Sequence, residues 1–369
     1  MFRRFSTLVA LALVVSIAGA FAGQNAEGRL SFEPVPKKLQ VSKLFVKLDP
    51  ALVATPDGMA IAPDGDLVVA CPNFGNQKLP GVIIKIDKNG NVKKWFDVPV
   101  NPASGVARPM GIDFDEWGNL YIVDNQGWTG NPESVNQGRI LKVFFDRQGN
   151  PVRTVTIATG MEHPNGIKYR DGFVYVTQSC FSEIKDPSGK LVSGVYRFPA
   201  DAINIRITNT IEDQSIIALF ITENMDIQYG LDGLLFDHAG NLYVGNFGDG
   251  SIHKITFDTN GNVNHSYTWA QDNDQLLVTD GMCIDDYDGT IYVADFNANA
   301  IAMVAPDGVI TRIAQSPDSN GANGELDQPG EPIVWNGKLI VTCFDMVTDP
   351  GKANSSHDEP HTIVSIDIY

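Results

Sequence analysis

One phrase recurs six times along this chain of 369 residues. It reads TPDGMAIAPDGDLVVA from Thr55, RPMGIDFDEWGNLYIVD from Arg108, HPNGIKYRDGFVYVT from His163, GLDGLLFDHAGNLYVG from Gly230, TDGMCIDDYDGTIYVA from Thr279 and GEPIVWNGKLIVTC from Gly330. Each copy is a polar-Gly turn, a short strand, a second tight turn and a strand with a polar end. Small antiparallel units repeating about every 50 residues predict a radial β-propeller. The expected fold is therefore all-β, a six-bladed β-propeller of four-stranded antiparallel blades. Third and fourth strands lie between the copies, as in GVIIKID with NVKKWFDV, many joined by NGN, QGN or PDG hairpin turns. Lys43 to Leu48 (KLFVKL) alternates apolar and polar residues and precedes the first copy, while HTIVSIDIY ends the chain. Pairing these N- and C-terminal strands in the last blade closes the ring and removes an open edge. Asp201 to Gln228 is the longest irregular connection and has room for a short helix, and Trp128 to Gln137 and Asp349 to His361 read as loops over one end of the propeller.

The position before the repeated Gly, or its equivalent, is Asp57, Met110, Asn165, Asp232, Asp280 and Glu331. Blade symmetry aims all of them at one point on the axis. An oxygen side chain stands at every one except Met110. Carboxylates converging in a partly dry space either hold protons at raised pKa or hold a cation. An oxygen-only donor set suits a hard ion such as Ca²⁺, and the spacing of the Cys and His residues shows no set for zinc or copper. Asp or Asn before Gly also caps tight turns with no metal present, as in NHL-type propellers, so a non-catalytic binding propeller stays open as an alternative.

The first residues bound the setting. Residues 1–22 combine Arg3 and Arg4, an apolar run from Leu8 to Ile17, and Ala20-Phe21-Ala22 at a small-x-small site, the pattern of a secretory signal. The expectation is a secreted or periplasmic protein with an extended lead-in over 23–42, the propeller over 43–369 and no membrane span. A formal charge of -17 argues against nucleic acid as partner. Cys71, Cys180, Cys283 and Cys343 include no CxxC pair; they read as apolar thiols, with one disulfide open in an oxidising compartment. A closed ring offers no sticky edge, so a monomer is the default.

The phrases PNGI at Pro164 and DGMCID at Asp280 resemble the SMP-30/gluconolactonase-like family, which is similar to the diisopropylfluorophosphatases and paraoxonases. The resemblance implies six blades and one divalent cation in the central tunnel, most simply Ca²⁺, with Mg²⁺, Mn²⁺ and Zn²⁺ as alternatives. It implies Asp57, Asn165, Asp232 and Asp280 as ligands, Asp57 replacing the family's first-blade Glu. The approximate Glu-x-Pro-x-Trp signature stands instead at Glu331, which permits a rotated assignment through Glu331, Asn165 and Asp232. The implied activity is lactone hydrolysis, with the cation polarising the carbonyl and Asp280 as base or nucleophile. Organophosphate or other esters are the first rival substrates, and a strictosidine-synthase-like activity lacks an identifiable apolar pocket. His163 is the best-placed histidine for proton transfer, and Arg108, Asn125 and Asn246 are the candidate substrate contacts. No GxSxG motif supports a serine nucleophile.

Overall fold

Six four-stranded antiparallel units follow one another, one of them carrying a fifth strand. The computed structural model describes residues 39–346 and 359–368. The expected leader, most of the lead-in and residues 347–358 of the final loop lie outside these residues. In the first five blades the strands step outward in chain order. Blade one runs Met59–Ile61, Leu67–Cys71, Val82–Ile86 and Val92–Asp97. Blade six takes Pro329–Trp335, Lys338–Cys343 and Thr362–Asp367 from the end of the chain and Lys43–Lys47 from its beginning. The expected closure is therefore present, with Lys43 opposite Ser365 and the Lys43 ammonium 2.5 Å from the Asp367 carboxylate.

The second strands explain the apolar runs that do not alternate. LVVAC, LYIVD, LYVGN and IYVAD are buried at every position, because each blade is sandwiched between two others and both faces are covered. The turns absorb much of the acidity. In Asp87, Asp115, Asp146, Asp237 and Asp258 the carboxylate accepts the backbone N–H four residues on, at 2.8–3.0 Å. The glycine between, as at Gly90 with φ 81° and Gly240 with φ 84°, takes the left-handed conformation the turn needs.

Asp201 to Gln228 holds no helix. It contributes Ile205–Arg206, a fifth strand parallel to the outer strand of blade two, and Ile216–Ile221, the outer strand of blade three. All four cysteines are free thiols. No helix among the described residues is long and apolar enough to cross a membrane.

The innermost strands touch around the axis. A Cβ on Gly111 would lie 2.6 Å from the Asn165 carbonyl oxygen, and one on Gly58 would lie 2.5 Å from that of Met110. Gly166 and Gly233 repeat the contact with the next blade. At these four steps the close approach requires that the residue after the axial one have no side chain. Blade six departs from this rule. Gly166 N–H donates to Thr177 Oγ1 at 2.8 Å, and Thr177 donates on to the Asp232 carbonyl. Glu331 N–H donates to Thr342 Oγ1 at 2.9 Å, and Thr342 donates on to the Asp57 carbonyl. Glu331 thus occupies the glycine step, and Gly330 is the axial residue of its blade. This corrects the alignment read from the sequence, where Glu331 was matched with Asn165. We expect Gly111→Val to lower folding stability by ~1–3 kcal/mol through overpacking, read as a shift in denaturation midpoint. An unchanged midpoint would mean that the inner strands are not in contact.

Candidate functional site

The axial residues come together as the floor of a cavity of about 320 Å³. Asp57, Met110, Asn165, Asp232 and Asp280 line it, so the ring brings four of the five expected oxygen side chains to one place. The Asn165 amide donates to Asp232 Oδ2 at 2.7 Å and to the Tyr229 hydroxyl at 3.2 Å. Asp280 and Asp232 share a hydrogen bond. Glu331 does not line this cavity. It stands lower in the tunnel, beside Lys168 and the inner glycines, where a Cβ on Gly281 would meet its Oε2.

Burial dominates the electrostatics. It raises Asp57 to about 7 against the pull of the Gly58 N–H. It raises Glu331 to about 8 despite the Lys168 ammonium nearby. Asp232 is pushed well above the carboxylate range by burial, then by Asp57 and Glu331, and Asp280 by burial, then by Asp232, Asp57 and Glu331. Three carboxyls on this floor, with Glu331 below them, cannot all be charged unaided. They hold protons or a cation, and an oxygen-rich floor fits a hard divalent ion.

Above the floor the rings form a collar. Phe74, Phe344, Phe296, Phe247, Tyr229, Trp128 and His163 follow one another with centroids 5.2–6.5 Å apart. Phe247, Phe296 and Phe344 each follow the last residue of a second strand, at the same step in three blades. That offset was visible in the sequence as Asn246-Phe247, Asp295-Phe296 and Cys343-Phe344. Tyr229, three residues before Asp232, had no such signal.

The polar candidates face elsewhere. Arg108 is buried and donates to the carbonyls of Leu79, Ala107 and Gln77 at 3.0–3.2 Å, pinning the loop beside blade one. Asn246 is held by Thr222 and the Ile221 carbonyl. Asn125 accepts the Gly127 N–H and leaves its Nδ2 without a hydrogen-bond partner. His163 stands behind Trp128, edge to face, not on the cavity wall. Burial lowers its pKa, opposed by Glu162. Among the described residues, the group that brings three His, Cys or carboxylate ligand atoms within 4.8 Å of one another is Glu162, His163 and Cys180, not the axial set. The sequence showed no such convergence, because a hairpin separates Cys180 from the other two.

Residues 170–323 match the model of the SMP-30/gluconolactonase/LRE-like region, a span that includes Asp232 and Asp280. No curated protein matches the chain. A luciferin-regenerating enzyme shares the fold with TM-score 0.59 at 13% identity, over 89% of this chain and 97% of that one. A gluconolactonase from Xanthomonas campestris does so with 0.53 at 15%, over 90% and 96%. The calcium-binding protein regucalcin from Agrobacterium tumefaciens does so with 0.52 at 11%, over 89% and 95%. At these identities the likeness is one of fold. The resemblance read from DGMCID is borne out by the family match.

The raised carboxyls set a pH dependence. Between about pH 4 and pH 8 the folded, chelator-treated protein holds protons that the unfolded chain has released, so its unfolding free energy falls as pH rises through that window. We expect its Tm to decline across this range and the decline to be shallower in Asp57→Asn, whose residue 57 does not titrate. Equal slopes in the two proteins would remove Asp57 from the protonated set.

Proposed function

We propose that this chain is a divalent-cation-dependent hydrolase of lactone or ester bonds, acting on substrates with an apolar body. The observation that carries the reading is a floor of Asp57, Asn165, Asp232 and Asp280 beneath a wall of aromatic rings. These four residues would hold the ion. Glu331 stands below them, where burial favours its protonated form and Lys168 its ionised one. A hard ion such as Ca²⁺ suits the site, because the donors are all oxygens. When bound, such an ion supplies Lewis-acid polarisation of a carbonyl and stabilises the oxyanion.

The chain's own residues do the rest. Asp280 is largely buried but lines the cavity floor, where its carboxylate can take a proton from attacking water or attack the carbonyl carbon itself. The hydrogen bond from Asn165 fixes Asp232 beside it. Trp128, Phe247, Phe296 and Phe344 exclude water and pack an apolar acyl or aryl group. Apart from the Trp128 indole N–H and the Asp226, Tyr229 and Asn297 side chains, the wall above the floor is apolar and offers few hydrogen bonds for the several hydroxyls of a sugar lactone. This wall directs the proposed lactone hydrolysis toward apolar lactones and aryl esters, with phosphotriesters as the neighbouring class.

We expect purified protein to hydrolyse an aryl ester or an alkyl-substituted lactone at least tenfold faster, in kcat/KM, than gluconolactone, a difference of about 1.4 kcal/mol. Asp280→Asn should lower kcat by two orders of magnitude or more, within the range expected when a general base is lost. Chelator should abolish turnover and added Ca²⁺ should restore it. Full activity of Asp280→Asn would take that carboxylate out of the mechanism.

A second reading has an observation of its own. Aromatic rings over buried carboxylates also bind organic ammonium ions, and a non-catalytic propeller would need no metal. Chelator-insensitive binding of a quaternary ammonium, with no hydrolysis, would decide for it. We also propose that residues 1–22 are removed on export; N-terminal sequencing of the mature protein should begin near Gly23.

A further inference from the structure

We propose that Glu162, His163 and Cys180 form a second metal site, for a borderline-soft divalent ion of the zinc and cobalt class, behind the cavity wall. A carboxylate oxygen, an imidazole nitrogen and the Cys180 sulfur lie within 4.8 Å of one another. A tetrahedral zinc shell, with bonds of about 2.0 Å to nitrogen and oxygen and about 2.3 Å to sulfur, places its ligands roughly 3.3–3.7 Å apart. A small closure of these three side chains reaches that geometry and leaves a fourth position to water.

The backbone presents the ligands to each other. Glu162 and His163 precede the innermost strand of blade three, and Cys180 follows its second strand. Pro164 pairs with Gln178, and Ser179 N–H donates to the His163 carbonyl at 2.9 Å, so the two segments are held face to face. Glu162 is oriented by the Ser182 N–H, at 3.1 Å to each oxygen, and by the Ser182 hydroxyl. The Cys180 thiol points at Glu162, 3.9 Å away. His163 Nδ1 is buried without a hydrogen-bond partner, an orphan that metal ligation would satisfy. Gly127 leaves space for the ring: a Cβ there would lie 2.3 Å from Cε1 and 2.4 Å from Nδ1 of His163.

The donor set separates this site from the axial one. Sulfur and nitrogen select zinc or cobalt, and the oxygen floor selects a hard ion. The site also reaches the cavity, since Trp128 packs edge-on against His163 at 6.0 Å and, tilted, against Tyr229 at 5.2 Å. An ion on His163 would fix the ring that carries Trp128.

The test is a Co²⁺ titration of metal-free full-length protein, with excess Ca²⁺ to fill the oxygen site and a non-thiol reductant. We expect a near-ultraviolet thiolate-to-cobalt band with visible d–d bands, saturating at one equivalent and displaced by Zn²⁺. Cys180→Ser should lose the near-ultraviolet band, and His163→Gln should weaken Co²⁺ binding at least tenfold. Asp280→Asn should keep both, which separates this site from the axial one. No charge-transfer band in the unaltered protein, or a band that persists in Cys180→Ser, overturns the proposal. Should Cys180→Ser fail to fold, His163→Gln decides: unchanged Co²⁺ affinity in that variant overturns it.

Discussion

The contact of six inner strands around one axis is the constraint from which the rest follows. Backbone meets backbone where Gly58, Gly111, Gly166 and Gly233 lie against the next blade. That approach squeezes water from the axis and leaves the preceding residue of each strand pointing into a narrow space. Asp57, Asn165, Asp232 and Asp280 are there because of chain geometry, and their charges would repel one another. Burial turns this repulsion into raised proton affinity, and the same imbalance is what a divalent ion relieves. Fold and chemistry are thus joined at one residue step: a glycine for closure, an oxygen before it for binding.

The propeller was legible because its signals are local and repeated. Turn glycines, five-residue apolar strands and Asp-x-x-Gly-Asn hairpins each report on a few neighbours, and six copies leave little ambiguity. The pairing of KLFVKL with the last strand was readable for the same reason: an alternating strand without a partner needs one. The outer strand of blade three was not. Ile216–Ile221 alternates poorly, is half-exposed, and lies beyond a stretch that crosses to blade two to add a fifth strand. Its place depends on the neighbouring blade, which a local pattern does not carry.

The site was legible at its floor and obscure above it. Axial residues follow from symmetry, so Asp57, Asn165, Asp232 and Asp280 could be read off one by one. Glu331 shows where symmetry misleads: a glutamate beside a glycine looks like an axial acid, and only the hydrogen bonds of Thr342 place it one step lower. Arg108 lies two residues before an axial position, yet its guanidinium is drawn to carbonyls of blade one. The collar is assembled from single aromatics on different blades, and Tyr229 comes from the connection before blade four. Residues that meet only across blades leave no spacing to detect, and the Glu162, His163 and Cys180 group is hidden for a similar reason.

The central claim is that the axial carboxylates exist to hold a cation, not merely to cap turns. Metal analysis of the purified, dialysed protein tests it most directly, with Asp280→Asn alongside. The account predicts about one tightly held calcium per chain in the native protein and a clear loss of it in the variant. A chain that carries no metal, with a Tm indifferent to chelator at neutral pH, would contradict it.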